Sequence, residues 1–546
     1  MTRLLTLFLL VAFTPLWGQI EAAKIEGAET LFDLSFDAGE RDSMISSLGY
    51  QLNDLQAIHR YTLDNAVPPA LNYSPIPPGF EMEEKQFPII WTFPQETKIP
   101  AKREALAFYS VAELAYLLQS RKITSTEITQ IYLDRLKKFG DTLHCVVSIT
   151  EELALKQAAK ADREIKAGLY RGPLHGIPYG VKDLLSVPGY KTSWGAAPYK
   201  EQDRGEEIST VVKKLEAAGA VLVAKLSMGA LAMGDVWFEG MTRNPWDLEQ
   251  GSSGSSAGSA SATAAGLVAF SIGTETWGSI VSPATRCSVT GLRPTYGRVS
   301  RAGAMALSWS MDKIGPICRS AQGCAMVFDV IRGEDGLDLT VNNAPFNYYG
   351  EVDLSQLKIG YFKSYFEANY RNKAADSVSL TVLKSLGADL IPVEFETQIP
   401  VSSLSVILTA EAAAAFDELT RSNQDSLLTR QIRQAWPNIF RAARFIPASD
   451  YINANRIRAQ LLQEFDAMMQ EYDLIVTPSY GGNQLLATNL TGHPCVVVPN
   501  GLQTDGPPAS ISFLGNLFDE ATLLAVAKKY QEATQFEEAH PRMFVP

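Results

Sequence analysis

The sequence predicts one large α/β/α sandwich, with helices on both faces of a central sheet, preceded by a helical and extended N-terminal region. Two observations carry that expectation. Short apolar runs without polar alternation read as strands buried on both sides: Val221-Leu-Val-Ala224, Leu267-Val-Ala-Phe270, Lys358-Ile-Gly-Tyr361, Leu474-Ile-Val-Thr477 and Cys495-Val-Val-Val498. Helical stretches such as Ser209 to Ala218 and Ala521 to Ala533 are interleaved with them, as in a sheet covered by helices. A chain of 546 residues, 46% hydrophobic and 20% charged, could hold two or three domains or one large enzyme, and length alone does not settle which.

Taken in order, Met1 to Arg3 form a short positive start and Leu4 to Leu16 an apolar core, so residues 1–18 read as an export signal. The apolar run is shorter than the roughly 20 residues of a spanning helix. A secreted or periplasmic location follows, without stable membrane insertion after cleavage. Residues 19–104 form an N-terminal extension. Glu29 to Leu63 reads as one or two helices, and the Pro-rich stretch from Pro68 to Pro94 must run extended over a surface. The regular core domain spans 105–546. Ser110-Val-Ala-Glu113 is a capping box; Thr124-Ser-Thr-Glu127 opens a second helix, with Ile128, Ile131, Tyr132 and Leu136 on one face. Glu151 to Gly168 is Ala-rich and helical.

Charge and cysteine usage exclude several functions. A net charge of −12 argues against a nucleic-acid partner, which needs a basic footprint. Five scattered cysteines make neither a disulfide framework nor a zinc site, and no metal or cofactor is expected. Cys318 and Cys324 could pair, but buried free thiols are the preferred reading.

The chemistry concentrates in two places. Residues 251–266 contain only Gly, Ser, Ala and Thr, which reads either as a flexible linker or as an active-site loop. The run leads into apolar residues and then a glycine-bounded turn, Gly273-Thr-Glu-Thr-Trp-Gly-Ser279, which opposes the linker reading. No G-x-S-x-G elbow is present, and His175 and His493 sit in Gly/Pro turns where structural roles are commoner than catalysis. Another base is therefore needed. Lys182, in Gly176-Ile-Pro-Tyr-Gly-Val-Lys-Asp183, follows a strand-like segment where desolvation could neutralise it; the alternative is an ordinary surface lysine.

From about Ala105 onward the chain resembles the amidase signature family. The family's serine–glycine loop corresponds to Ser253-Gly-Ser-Ser-Ala-Gly-Ser259 and its second turn to Gly273-Thr-Glu-Thr-Trp-Gly-Ser-Ile280. Gly291-Leu-Arg-Pro, Met311-Asp-Lys-Ile-Gly-Pro316 and Pro173-Leu-His-Gly-Ile-Pro-Tyr-Gly-Val-Lys-Asp183 also fit. The resemblance implies a mixed, twisted central sheet. It also implies a catalytic lysine at Lys182, a bridging serine on a cis peptide bond at Ser255 and a nucleophile at Ser279. The backbone N–H groups of Thr276, Trp277, Gly278 and Ser279 then become the oxyanion donors. Ser256 and Ser259 are expected to position backbone, Ser256 with an option on a supporting hydrogen bond. Three departures from the pattern bear on substrate choice. Trp277 replaces a glycine, Glu275 replaces the commoner Asp, and Val281 stands where an Arg often follows, with Arg286 as a substitute charge. These features look closer to peptide-amidase-like members than to tRNA-amidotransferase subunits. The expected substrate is a small or acylated amide, its acyl wall drawn from residues after Asp335 and up to Tyr472. The alternatives are a glutaminase subunit of a tRNA-dependent amidotransferase, disfavoured by export, and a non-catalytic binding protein on the same scaffold. The oligomeric state is open, a homodimer included.

Overall fold

The computed structural model describes residues 20–58, 64, 65, 67, 71–502 and 508–546, so the expected signal peptide lies outside the described residues. An eleven-stranded mixed sheet organises the chain. Numbered in chain order within this sheet, its strands are β1 Val146–Ile149, β2 Pro178–Lys182, β3 Val221–Leu226, β4 Phe270–Glu275, β5 Thr290–Arg293 and β6 Lys313–Cys318. They continue as β7 Ile359–Phe362, β8 Leu390–Val393, β9 Leu474–Pro478, β10 Cys495–Pro499 and β11 Ser510–Gly515. In space the order is β1-β3-β2-β4-β6-β5-β10-β11-β9-β7-β8. Parallel pairs join β3, β2 and β4 on one side and β9, β7 and β8 on the other, with antiparallel pairs between.

Away from the edge strands both faces of this sheet are buried, which is why those strands read as unbroken apolar runs. Along β10, Val496 and Val498 enter one hydrophobic cluster while Cys495 and Val497 enter another, and along β9 Leu474 and Val476 part from Ile475 in the same way. The period-two geometry of a strand thus feeds two cores from one sequence. Helices cover each: Val111–Gln119, Ala321–Ile331 and Glu520–Thr534 lie over the first, and Ala448–Met469 with Gln484–Thr491 over the second. The Ser110 capping box forms in full, and Thr124 accepts from the Glu127 N–H.

Two segments depart from the sequence reading. The small-residue stretch is not a linker: residues 252–256 are loop, but Ala257–Ala264 is a helix buried along its whole length. Its small side chains permit close approach; a Cβ on Gly258 would fall 2.5 Å from the Cys145 carbonyl oxygen. The second departure is in the glycine-bounded turn. Gly273, Thr274 and Glu275 belong to β4, held opposite Gly315, Ile314 and Lys313 of β6, so the strand starts at Phe270 rather than Leu267 and the turn proper begins at Thr276.

The N-terminal extension begins with two helices, Ala22–Phe32 and Ala38–Ile58, tied by a two-pronged ion pair from Arg41 to Glu29. Residues 71–102 contain no helix or strand and run as a strap across the catalytic domain. Tyr73 donates to the Leu490 carbonyl at 3.0 Å. Gln86 docks its carboxamide on Phe346, accepting from the N–H at 2.8 Å and donating to the carbonyl at 2.9 Å. Trp91 packs on Tyr348, and Gln322 donates to the Thr92 carbonyl. All five cysteines are buried and free, Cys318 and Cys324 among them.

Candidate active site

Lys182 ends β2 and is wholly buried, because β3 and β4 flank it in the middle of the sheet. Its Nζ lies 2.8 Å from Ser255 Oγ, 2.8 Å from Thr274 Oγ1, 3.2 Å from Ser256 Oγ and 3.4 Å from the Thr274 carbonyl. Every neighbour is neutral. Burial pushes the ammonium down to about 7, against the more distant carboxylates of Asp312 and Glu275, which pull the other way.

Ser255 follows a cis Gly254–Ser255 peptide bond. Glycine is required before it, since a Cβ on Gly254 would stand 1.9 Å from the Gly234 carbonyl oxygen. Ser256 does more than position backbone. Its Oγ accepts from the Thr274 N–H, donates to the Thr274 carbonyl and also meets Lys182. Ser259 keeps to the expected role, donating to the Ile272 carbonyl.

Ser279 is half-buried on the adjoining turn, and its carbonyl accepts from the Ser256 N–H at 3.2 Å. Lys182 and Ser255 are therefore in direct contact, and Ser279 is tied to the same loop through backbone. Among the described residues no hydrogen bond joins the Ser255 and Ser279 hydroxyls. The turn itself is distinctive. Ile280 and Val281 donate their N–H groups to Glu275 Oε2 at 2.8 and 2.9 Å, whereas those of Thr276, Trp277, Gly278 and Ser279 have no acceptor among the described residues. Four unspent donors on one turn form a ready anion-binding concavity. Trp277 is 47% exposed, so its ring lies toward solvent rather than in the core.

The sequence reading missed what holds this turn. Glu275 is fully buried, and its Oε1 accepts from Arg293 at 2.9 Å and Asn489 at 2.8 Å. Burial alone would raise this carboxyl; Arg293 and the three hydrogen bonds from Val281, Asn489 and Ile280 overrule it and hold it below the usual range. Arg286, considered as the substitute charge, instead donates to Gln250 at 2.8 Å. Arg293 lies in the Gly291-Leu-Arg-Pro motif, which was visible, but its pairing crosses the sheet and has no local sign. Asp312 steadies the start of the turn, accepting from Thr276 Oγ1 at 2.5 Å and from the N–H groups of Leu307 and Ser308.

Among the described residues, neither His175 nor His493 enters the site. His175 meets Glu164 and accepts from the Arg171 N–H, while His493 pairs with Thr491 and faces Asp466. Burial holds both rings below the usual imidazole range.

A cavity of about 530 Å³ opens beside Thr274, Thr276 and Asp312. Its wall comes mainly from residues 296–314; of the segment from Asp335 to Tyr472, Leu337–Thr340 take part. The N-terminal extension contributes Asn65, Leu71, Asn72 and Tyr73.

The fold matches that of solved amidases. The peptide amidase of Stenotrophomonas maltophilia superposes with a TM-score of 0.70 at 29% identity, covering 79% of this chain and 98% of that one. An amidase family protein from Bacillus anthracis str. Ames gives 0.70 at 26% identity, covering 78% and 91%. The class is that of α/β amide hydrolases. A family model described as Amidase matches residues 127–487, more than half of the sequence. A glutamyl-tRNA(Gln) amidotransferase subunit from Marinomonas sp. (strain MWYL1) is 33% identical over 488 residues, covering 80% of this chain and 98% of that protein. The chain belongs to the amidase signature family.

Proposed function

We propose that the protein is an exported amidase that hydrolyses a small or acylated carboxylic amide through an acyl-enzyme on Ser279, with Ser255 and Lys182 as the proton relay. One observation carries the reading. A lysine stripped of water and of any directly bonded carboxylate sits 2.8 Å from Ser255, beside a turn whose four N–H groups are unspent. Lysine held near neutrality at physiological pH is a competent base, which an exposed ammonium is not.

In the first step Ser279 Oγ bonds to the amide carbon. Its proton passes to Ser255 Oγ while Ser255 gives its own to the Lys182 amine. The carbonyl oxygen takes up the negative charge and receives hydrogen bonds from the N–H groups of Thr276 to Ser279; one such donor is worth about 3 kcal/mol in the barrier. The C–N bond then breaks and the leaving nitrogen takes the proton back along the relay. Water attacks the ester in turn, releasing the carboxylic acid and restoring Ser279. The Ser255–Ser279 contact needed for transfer closes in the substrate complex, where catalytic hydrogen bonds commonly tighten.

The test is a fluorophosphonate probe with an amide and ester panel. Wild type should be labelled at Ser279 and turn over amides, and Ser279→Ala should lose both while keeping its unfolding temperature. Unlabelled wild type would favour the non-catalytic binding protein. A second reading, a glutaminase subunit of a tRNA-dependent amidotransferase, draws support from the 33% identity to such subunits. Recovery from the cytosol with partner subunits would establish it, and recovery as a processed exported chain would remove it.

A further inference from the structure

We propose that the N-terminal extension, through Asn65 and Tyr73, is a built part of the substrate site: it closes the cavity beside the oxyanion turn and limits the size of an uncharged, largely apolar acyl group bound there. The proposal rests on the assignment of Ser279 as nucleophile. Both residues lie outside the residues matched by the family model, 127–487.

The cavity touches the machinery directly through Thr274, a partner of Lys182, and Thr276, the first residue of the turn. Its volume suits a small-molecule group, such sites spanning roughly 300–1,000 Å³. The charged groups in its wall are already committed. Arg301 spends four of its N–H groups on Asp338, the Trp309 carbonyl and Thr340. Asp312 accepts from Thr276, Leu307 and Ser308, and Lys313 donates to the Met311 carbonyl. The surface left for a ligand is largely apolar, drawn from Leu184, Met305, Leu307, Trp309 and Ile314. At the rim, Leu71, Leu337 and Leu339 are 76%, 71% and 81% exposed. Isolated exposed leucines are ordinary, but three from two distant segments at one opening mark an apolar entrance.

The extension is anchored where it meets this wall. The Ala306 N–H donates to Asn65 Oδ1 at 2.6 Å, and Asn65 Nδ2 donates to the Ala306 carbonyl at 2.9 Å. Tyr73 donates to the Leu490 carbonyl, packs edge-on against Tyr296 at 5.1 Å and has the Arg458 guanidinium 3.6 Å over its ring. Ala306 immediately precedes Leu307 and Ser308, whose N–H groups hold Asp312, which in turn holds Thr276. Asn65 is therefore a positioning residue, acting on the turn through three links, and Tyr73 is a wall residue that sets cavity size.

The experiment measures kcat/KM for straight-chain acyl amides from acetyl to decanoyl, with L-glutamine as the charged comparator, on the full chain. Wild type should favour longer acyl groups over acetyl and over glutamine. Tyr73→Ala should shift the decanoyl-to-acetyl ratio about tenfold, the scale of a few methylenes in an apolar pocket. Asn65→Ala should lower kcat for every amide, with partial recovery in Asn65→Asp, which keeps an acceptor for the Ala306 N–H. Leu337→Asp, at an exposed position, should lower the decanoyl rate selectively and keeps the test decisive if Tyr73→Ala fails to fold. An acyl-length profile unmoved in Leu337→Asp and in folded Tyr73→Ala, or a wild-type preference for glutamine, would overturn the proposal while fluorophosphonate labelling of Ser279 still upholds the catalytic assignment. Unlabelled wild type would defeat both.

Discussion

Replacing Lys182 with methionine should abolish turnover and at the same time stabilise the fold at neutral pH, an effect that reverses in alkaline solution. Burial lowers the lysine from its ordinary 10.5 to about 7. Between those values the unfolded chain binds a proton that the native site refuses, so wild-type stability falls as pH drops from 10.5 to 7 and levels off below. At about 1.4 kcal/mol per pH unit, the penalty is about 4 kcal/mol at pH 7 and about 1 kcal/mol near pH 9.5. Methionine carries none of it, but it leaves Ser255 Oγ and Thr274 Oγ1 without the amine, which costs about 1 kcal/mol each. The variant should therefore be the more stable by about 2 kcal/mol at pH 7 and the less stable by about 1 kcal/mol near pH 9.5. Urea unfolding of both proteins at the two pH values measures this. The same protonation governs the rate: kcat/KM should rise about tenfold from near pH 6 to near pH 8, as neutral lysine goes from about a tenth to about nine-tenths of the population. A stability difference independent of pH, or a flat rate across neutrality, would refute the picture of a desolvated base.

Three further outcomes follow. Glu275→Ala leaves Arg293 buried without its partner and removes the acceptor for Ile280 and Val281, so denaturant unfolding should show a loss of about 3–5 kcal/mol along with activity. Gly258→Ala should cost about 1–3 kcal/mol by the same measurement, because the added methyl presses on the Cys145 carbonyl and the Ser227 N–H. His175→Gln and His493→Gln should retain turnover with a lowered unfolding temperature; loss of turnover in a folded variant of either would restore a histidine base.

How far the sequence was legible follows the range of each interaction. Capping at Ser110 is local and was readable residue by residue, as were the dry strands at Val221, Leu474 and Cys495, which depend only on composition and period. Lys182 and Ser255 were nameable through motifs, although 73 residues separate them. The helix at Ala257–Ala264 was not, because Gly, Ser and Ala are equally at home in a linker; only its burial against Cys145 and Ser227 settles the choice. Strand β4 was misplaced by three residues, since its pairing with β6 and not its own composition decides where it begins. Arg293, Asn489 and Asp312 escaped for the same reason. Their partners stand on other strands and turns, and no spacing rule connects Asn489 to Glu275 across 214 positions.

The carboxamide clamps of the N-terminal extension have a consequence for how this site can change. Asn65 and Gln86 each grip a single residue, Ala306 and Phe346, through both its backbone N–H and its carbonyl. Every residue other than proline presents that same pair of groups. The clamps therefore do not register which side chain occupies positions 306 and 346. Residues lining the cavity can be exchanged for larger, smaller or differently shaped ones while the extension stays fastened, which separates the evolution of selectivity from the upkeep of the architecture.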